Sequence, residues 1–180
     1  QVRIAVRDIN EFIDGLAHEA GMSGSISFSR FQGSTGVTFP VDEQESSFQY
    51  LVVNRETGEA EMRYHLVFEA PDGARYLLEG RTYMERTGRG GAAAIRELLY
   101  DYTTLYCRLY RLDAAAGPQE LGLAYLKFRT FEDFAAVGNL AGFLGSFRIT
   151  GTADPVLQLQ ARMRFLAFTG QFVQSEFDPL

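Results

Sequence analysis

The strongest fold signal in this chain is the segment Leu99-Tyr100-Asp101-Tyr102-Thr103-Thr104-Leu105-Tyr106-Cys107-Arg108-Leu109-Tyr110. Alternate residues of a β-strand point to opposite faces of a sheet. Read with that period, one face carries Tyr100, Tyr102, Thr104, Tyr106, Arg108 and Tyr110, and the other carries Asp101, Thr103, Leu105, Cys107, Leu109 and Arg111. Neither face is purely apolar or purely polar. Mixed faces are typical of a barrel or strongly curved sheet, with a core on one side and an amphipathic cavity or solvent on the other.

Strand and turn signals also occur on both sides of this segment. One turn is Pro71-Asp72-Gly73, in which proline presets its backbone angle and glycine tolerates a positive one. The predicted strands are 24–31, 48–53, 59–69, 75–84, 98–112 and 121–128. The predicted turns and loops are 32–36, 54–58, 71–73, 87–91 and 114–118. We therefore expect about five or six antiparallel strands joined in sequence.

Helices are predicted near both ends of the chain. Asp8 is placed to cap a helix over 8–20, with Gly21 ending it. A short helix is predicted over 131–137. Asp154, followed by Pro155, is a cap and first-turn pair for a C-terminal helix that runs to about 176 and has a wide apolar face. We expect this helix to pack on the sheet, and the alternative is docking to a partner or a membrane surface.

Length and charge bound the protein class. At 180 residues the chain fits one domain spanning 1–180. Its 23 acidic residues exceed its 17 basic ones, giving a formal net charge of −6, which argues against nucleic acid as a partner. Its apolar runs are far shorter than the roughly 20 residues that span a bilayer. We therefore expect a soluble protein without a membrane span.

The single cysteine and the start of the chain carry further expectations. Because Cys107 is the only cysteine, an intrachain disulfide and a cysteine-based zinc site are excluded. Its place between Leu105 and Leu109 predicts a small buried hydrophobic residue. The start at Gln1 leads us to expect a trimmed chain or part of a longer polypeptide. The residues shown contain no signal-peptide hydrophobic region, so we expect a cytoplasmic location.

The usual catalytic and metal-binding patterns are absent from the sequence. His18 and His65 are the only histidines and lie in different segments, so no metal site is expected. The sequence around Ser23 lacks the glycine-x-serine elbow of a serine hydrolase. The cluster Gly88-Arg89-Gly90-Gly91 lacks both the spacing and the preceding buried strand of a dinucleotide site. We therefore expect no FAD or other cofactor in these residues.

The strand predicted over 59–69 has two contrasting faces. Met62, Tyr64, Leu66 and Phe68 form an apolar face that is the better core candidate, and Glu61, Arg63, His65, Val67 and Glu69 form the other. A solvated outer face is favoured for His65, with a cavity lining as the alternative. On the next strand, Glu79 and Arg81 share a face, so a charged cross-strand cluster with Arg63 or His65 is expected.

Several short motifs occur in order from about 22 to 177. They read MSGSISF at 22–28, MRYHLVF at 62–68, GARYLLEG at 73–80, DYTTLY at 101–106, FEDF at 131–134, ITG at 149–151 and RFLAFTGQF at 164–172. Together they resemble the accessory, non-flavin domain that accompanies the catalytic module of bacterial cholesterol oxidase-like flavoproteins, of the glucose-methanol-choline type. The resemblance implies a lipocalin-like barrel that binds a ligand or a protein. It implies no catalytic residues for this chain.

The residues and the resemblance together give one fold and three functional hypotheses. The expected fold is mainly β (α+β): an antiparallel lipocalin-like barrel or half-barrel with N-terminal and C-terminal helices. The preferred function is non-catalytic binding of a lipophilic, sterol-like or lipid-like small molecule in service of an FAD-dependent oxidoreductase module. The alternatives are a small barrel cyclase or isomerase acting on an apolar substrate, and a protein-interaction or dimerisation module. The candidate ligand-binding residues are Tyr64, Tyr102, Tyr106, Arg108 and Tyr110.

Overall fold

The computed structural model describes residues 1–84, 104–113, 117–127 and 147–177. Its strands are β1 (Val2–Ala5), β2 (Glu19–Phe31), β3 (Ser34–Pro40), β4 (Ser47–Val53), β5 (Ala60–Glu69), β6 (Arg75–Met84), β7 (Thr104–Arg111) and β8 (Gln119–Lys127). The helices in these ranges are α1 (Ile9–Asp14) and α2 (Pro155–Phe177). The chain divides into two compact units: Gln1–Tyr83 with Leu105–Leu126, and Met84–Thr104 with Lys127–Leu180. The single domain expected from the chain length stays a prediction.

The described strands form an eight-stranded sheet in the order β1-β2-β4-β5-β6-β7-β8, with β3 paired to β2. From β4 onward, each strand lies beside the next one in sequence, which confirms the predicted meander. The fold is therefore mainly antiparallel β. The sheet is open in this part of the chain, because β1 and β8 lie at opposite ends of the strand order. The closed form of the expected barrel is wrong for these strands.

The strand predictions over the middle of the chain are confirmed. The segments 48–53, 59–69, 75–84 and 121–128 correspond to β4, β5, β6 and β8 within one or two residues. The described part of the 98–112 segment forms β7, and 98–103 lies outside the described residues. The predicted loop 87–91 and the predicted helix 131–137 also lie outside them.

Strand β2 is longer than predicted and changes partner along its length. Its first residues pair with β4, and Ser25 to Phe31 pair with β3. Strand β3 begins inside the segment predicted as a loop. Its pairing puts Phe31 opposite Ser34, leaving a two-residue turn in which Gln32 and Gly33 have φ of 48° and 83°. Two positive φ values are typical of the type I′ turn, whose twist suits a tight hairpin.

Helix α1 ends earlier than the predicted boundary at Gly21. Asp8 caps it as expected, with Oδ1 accepting from the backbone N–H of Asn10 at 2.7 Å. The helix stops at Asp14, and Ala20 is buried in β2 opposite Phe48. The apolar spacing of 9–20 fits a helix, but pairing of 19–21 with β4 satisfies the same backbone groups and also buries Ala20. Tertiary pairing therefore overrides the helical pattern.

The core of the first unit is a cluster of aromatic rings on one face of the sheet. Its members are Phe28, Phe31, Phe39, Phe68 and Tyr76, with ring centroids of contacting pairs 5.0 to 6.1 Å apart. Aromatic pairs at these separations contribute about 0.5–1.5 kcal/mol each beyond simple burial. The predicted apolar face of β5 is confirmed as core, because Met62, Tyr64, Leu66 and Phe68 are all buried. Rings rather than a lumen occupy this region.

The second unit contains helix α2, whose predicted start is confirmed. Asp154 Oδ1 accepts from the backbone N–H of Val156 at 2.8 Å, directly before the first helical turn. One side of the helix packs through Phe165, whose ring lies 5.0 Å from that of Phe147. On another side Val156, Leu159 and Met163 remain more than half exposed. No helix among the described residues is long and apolar enough to cross a membrane.

Candidate ligand-binding face

The candidate site lies on the sheet face opposite the aromatic core. Strands β6 and β7 contribute three cross-strand pairs to it: Arg81 with Tyr106, Glu79 with Arg108, and Leu77 with Tyr110. Residues alternate between faces, and the neighbours Leu78, Leu105 and Cys107 are buried on the core side. We call the surface that carries Arg63, Arg81, Tyr106, Arg108 and Tyr110 the outer face.

The structure brings three of the five sequence-predicted site residues together. Tyr106, Arg108 and Tyr110 follow one another on the outer face of β7, as the period of two predicts. Tyr106 is 59% exposed. Arg108 Nη1 lies 3.5 Å from Glu120 Oε2, which joins β7 to β8. These side chains therefore line an outer surface of the described sheet rather than the expected lumen.

The remaining two predicted residues are not part of this group. Tyr102 lies outside the described residues. Tyr64 is buried on the opposite face, with its ring 4.7 Å from that of Phe48. Burial raises the pKa of the Tyr64 phenol well above its ordinary value, and Tyr50 and Cys107 add to this effect. Tyr64 is thus a neutral core residue in this structure.

A cleft of about 330 Å³ opens on the outer face beside these residues. Its lining consists of Val53, Asn54, Arg55, Glu56, Arg63 and Arg81. Two of the three arginines come from neighbouring strands, β5 and β6. The third, Arg55, comes from the loop that joins β4 to β5 and was not predicted as a site residue. Of the predicted charged cluster, Arg63 and Arg81 share this cleft, whereas Glu79 lies opposite Arg108.

Hydrogen bonds hold the loop that carries Arg55. Asn54 donates its backbone N–H to the Glu59 carbonyl at 2.8 Å, and its carbonyl accepts from Gly58 at 2.8 Å. The Asn54 side-chain oxygen accepts from the backbone N–H of Glu56 at 2.9 Å, which forms an Asx turn around Arg55. The predicted turn at 54–58 is confirmed, and its internal bonding fixes the backbone of this cleft wall.

A β-bulge in β4 lies directly before this loop, close to the lining residue Val53. Gln49 pairs with Arg63, but Val52 pairs with Glu61, so β4 has one residue more than β5 between these pairs. Within the bulge, Leu51 has a φ of 52°, and its side chain is buried, with 1% exposed. Bulges bend a strand and increase its twist, and they are frequent beside binding sites. The apolar run that forms β4 carries no glycine or other local signal for this bulge.

Glu61 lies fully buried on β5, two residues before Arg63, and binds Arg63. Its Oε1 accepts from Arg63 Nε at 2.5 Å and also contacts Nη2. Its Oε2 is buried without a hydrogen-bond partner among the described residues. Burying a carboxylate is costly unless it is paired, so this ion pair constrains the position of Arg63. Arg63 remains 40% exposed, and Nη1 is left for another acceptor.

The cleft has a positive local charge in an acidic protein. Three guanidinium groups line it, against the carboxylate of Glu56 in the lining and that of Glu61, which is paired with Arg63. Within the described part of the chain, neither Arg55 nor Arg81 forms an ion pair. The chain as a whole has a net charge of −6. The excess of arginine here is therefore a local feature rather than a property of the whole surface.

The histidines lie apart from the cleft. His18 Nδ1 lies 2.8 Å from the Phe12 carbonyl oxygen, close to the end of α1. His65 is half-buried on β5, opposite Ser47. In the ranges that the structure describes, no three His, Cys, Asp or Glu side chains group as metal ligands.

Comparison with other proteins adds nothing to this geometry. No protein-family model, curated protein or solved structure matches this chain. The resemblance to a flavoprotein-associated domain therefore stays an interpretation of its short motifs. Functional inference depends on the outer face and its cleft.

Proposed function

We propose that this chain is a non-catalytic binding module for a lipophilic, sterol-like or lipid-like small molecule. One observation supports this proposal. The exposed Tyr106 lies opposite Arg81 in the sheet, and Arg81 lines the 330 Å³ cleft. This arrangement puts an aromatic surface next to a concave polar site. Small-molecule sites combine apolar contact area with a few polar groups that fix orientation.

The outer face suits such a ligand better than the sheet interior does. The inner face is packed with aromatic rings, so the described interior gives no support to a barrel cyclase or isomerase with an apolar lumen. On β7, Tyr106 and Tyr110 are four positions apart on one face, or about 13 Å at the usual rise of a strand. That span is comparable with a fused-ring system or an extended acyl segment.

The wider role we propose is that of an accessory module to an FAD-dependent oxidoreductase. The motif resemblance supports this role, because the resembled domain accompanies a flavin-dependent catalytic module. A binding module of this kind would hold a poorly soluble molecule near an enzyme. The lipocalin-like half-barrel expected from the same resemblance belongs to this proposal.

Native mass spectrometry and lipid extraction of the purified chain test the binding function. We expect a co-purified hydrophobic molecule in the wild type and at least about tenfold less of it in Tyr106→Ala. Leu16→Ala is the matched control, because Leu16 is 94% exposed and lies outside the outer face. An empty wild-type protein that also fails to bind an added fluorescent sterol or fatty acid would overturn the proposal.

A protein-interaction module is the second candidate. The observation that favours it is the row of Val156, Leu159 and Met163 on α2, which are 59%, 59% and 57% exposed. These residues lie about one helical turn apart and share one side of the helix. An exposed apolar row of this kind is a common feature of protein contact surfaces.

A further inference from the structure

The side chains that line the cleft favour one chemical class of ligand. Three guanidinium groups line it, and Val53 is the one apolar side chain among the described residues of the lining. Guanidinium groups bind carboxylate and phosphate oxygens through paired N–H donors. A purely hydrocarbon ligand would desolvate these arginines without satisfying them, which is unfavourable. The lining therefore favours a ligand that carries negatively charged oxygen atoms.

The ion-pair pattern leaves donors available for such a ligand. Glu61 holds Arg63 through Nε and Nη2, so this guanidinium is both positioned and partly neutralised. Arg55 and Arg81 have no ion pair within the described residues. Glu56 is the one carboxylate among the described residues that line the cleft. One constrained arginine that shares a cleft with two further arginines is a suitable arrangement for chelating an oxyanion.

The size of the cleft limits what it can hold. At about 330 Å³ it is at the lower end of small-molecule sites. It can therefore take a charged head group, while the body of a sterol-like or lipid-like ligand needs another surface. The exposed ring of Tyr106, across from Arg81, provides that surface directly beside the cleft.

We propose that Arg55, Arg63 and Arg81 form an oxyanion site for the carboxylate or phosphate group of an amphipathic ligand. This inference depends on the proposed binding function and specifies its ligand class. The charged group lies in the cleft, and the lipophilic part lies along Tyr106 and Tyr110. Neutral sterols and alcohols are then poorer ligands than their anionic counterparts.

The test compares four probes on the purified chain: dodecyl phosphate, dodecanoate, dodecanol and inorganic phosphate. We expect an anionic amphiphile to bind at least about tenfold more tightly than dodecanol, with an affinity that falls as sodium chloride rises. Arg81→Gln removes this preference, and Arg81→Lys restores it only in part because the fork of donors is lost. Arg30→Gln is the charge-matched control, because Arg30 does not line the cleft.

The outcomes separate this inference from the proposed function. Equal binding of dodecyl phosphate, dodecanoate and dodecanol, unaffected by Arg81→Gln, would overturn the oxyanion site and leave lipophilic binding intact. Binding of inorganic phosphate with no gain from the dodecyl chain identifies a free-phosphate site and contradicts the amphipathic ligand. Absence of binding by every probe overturns the oxyanion site, and the proposed function is overturned as well only if the added fluorescent sterol also fails to bind. If Arg81→Gln fails to fold, the test is repeated with Arg55→Gln, because Arg55 lies on a loop outside the core.

Discussion

The carbonyl oxygen of Gln1 occupies the space that a Cβ atom on Gly24 would need. Gly24 also has φ of +113°, a conformation that other residues rarely adopt. The next residue, Ser25, donates its backbone N–H to the same Gln1 oxygen at 2.9 Å. This contact joins β1 to β2 at the point where β2 begins to pair with β3.

Gly24→Ala should therefore destabilise the protein by about 1–3 kcal/mol, through both backbone strain and displacement of β1. Urea denaturation measures the change in the free energy of unfolding. Gly122→Ala is the control, because a Cβ at Gly122 meets nothing within 4 Å. Equal stability of the two variants would contradict the proposed close approach.

Arg63→Met should cost about 3–5 kcal/mol, because it leaves the fully buried Glu61 carboxylate without its ion pair. Chemical denaturation at pH 7 measures this change in the free energy of unfolding. Arg81→Met, which removes an arginine without breaking a described ion pair, should cost less than about 1 kcal/mol. If the double variant Glu61→Gln/Arg63→Met is no more stable than Arg63→Met, the explanation is wrong.

Tyr64 should make the protein less stable in alkaline solution. The unfolded chain loses the phenol proton near the ordinary pKa of 10.0, whereas burial keeps that proton bound in the folded chain at higher pH. The folded state therefore binds more protons above pH 10, and stability falls there by up to about 1.4 kcal/mol per pH unit. Tyr64→Phe should make this fall shallower in unfolding measurements between pH 8 and 11. Identical slopes for the two proteins would refute the assignment.

Leu159→Glu tests the interaction candidate. If the exposed row on α2 is a contact surface, this variant should be monomeric or lose its partner under conditions where the wild type associates. Analytical ultracentrifugation measures the change, and circular dichroism checks that the helix is retained. Gln160→Glu adds the same charge to an exposed neighbour without removing an apolar side chain. A strictly monomeric wild type that captures no defined partner argues against this function.

Local patterns in the sequence were sufficient to predict the antiparallel meander. Turns at 54–58 and 71–73 contain the residues that each conformation requires, and the alternation along β5 separates Met62 and Tyr64 from Arg63 correctly. The bulge at Leu51 and the end of α1 depend on pairing with distant residues, which no local period encodes. For the arginine cleft, the sequence predicted only that Arg63 and Arg81 would lie near each other on adjacent strands. Arg55 joins it through the bulge and the loop, so its role required the three-dimensional structure.

The order of the strands in the sheet has a consequence for how the chain is made. From β5 to β8, each strand pairs with the strand synthesised immediately before it. Contacts between segments close in sequence cost little loop entropy and favour fast folding. A chain emerging from the ribosome can therefore add each new strand to an edge that already exists. We expect the sheet of the first unit to grow during translation, strand by strand, before α2 has been synthesised.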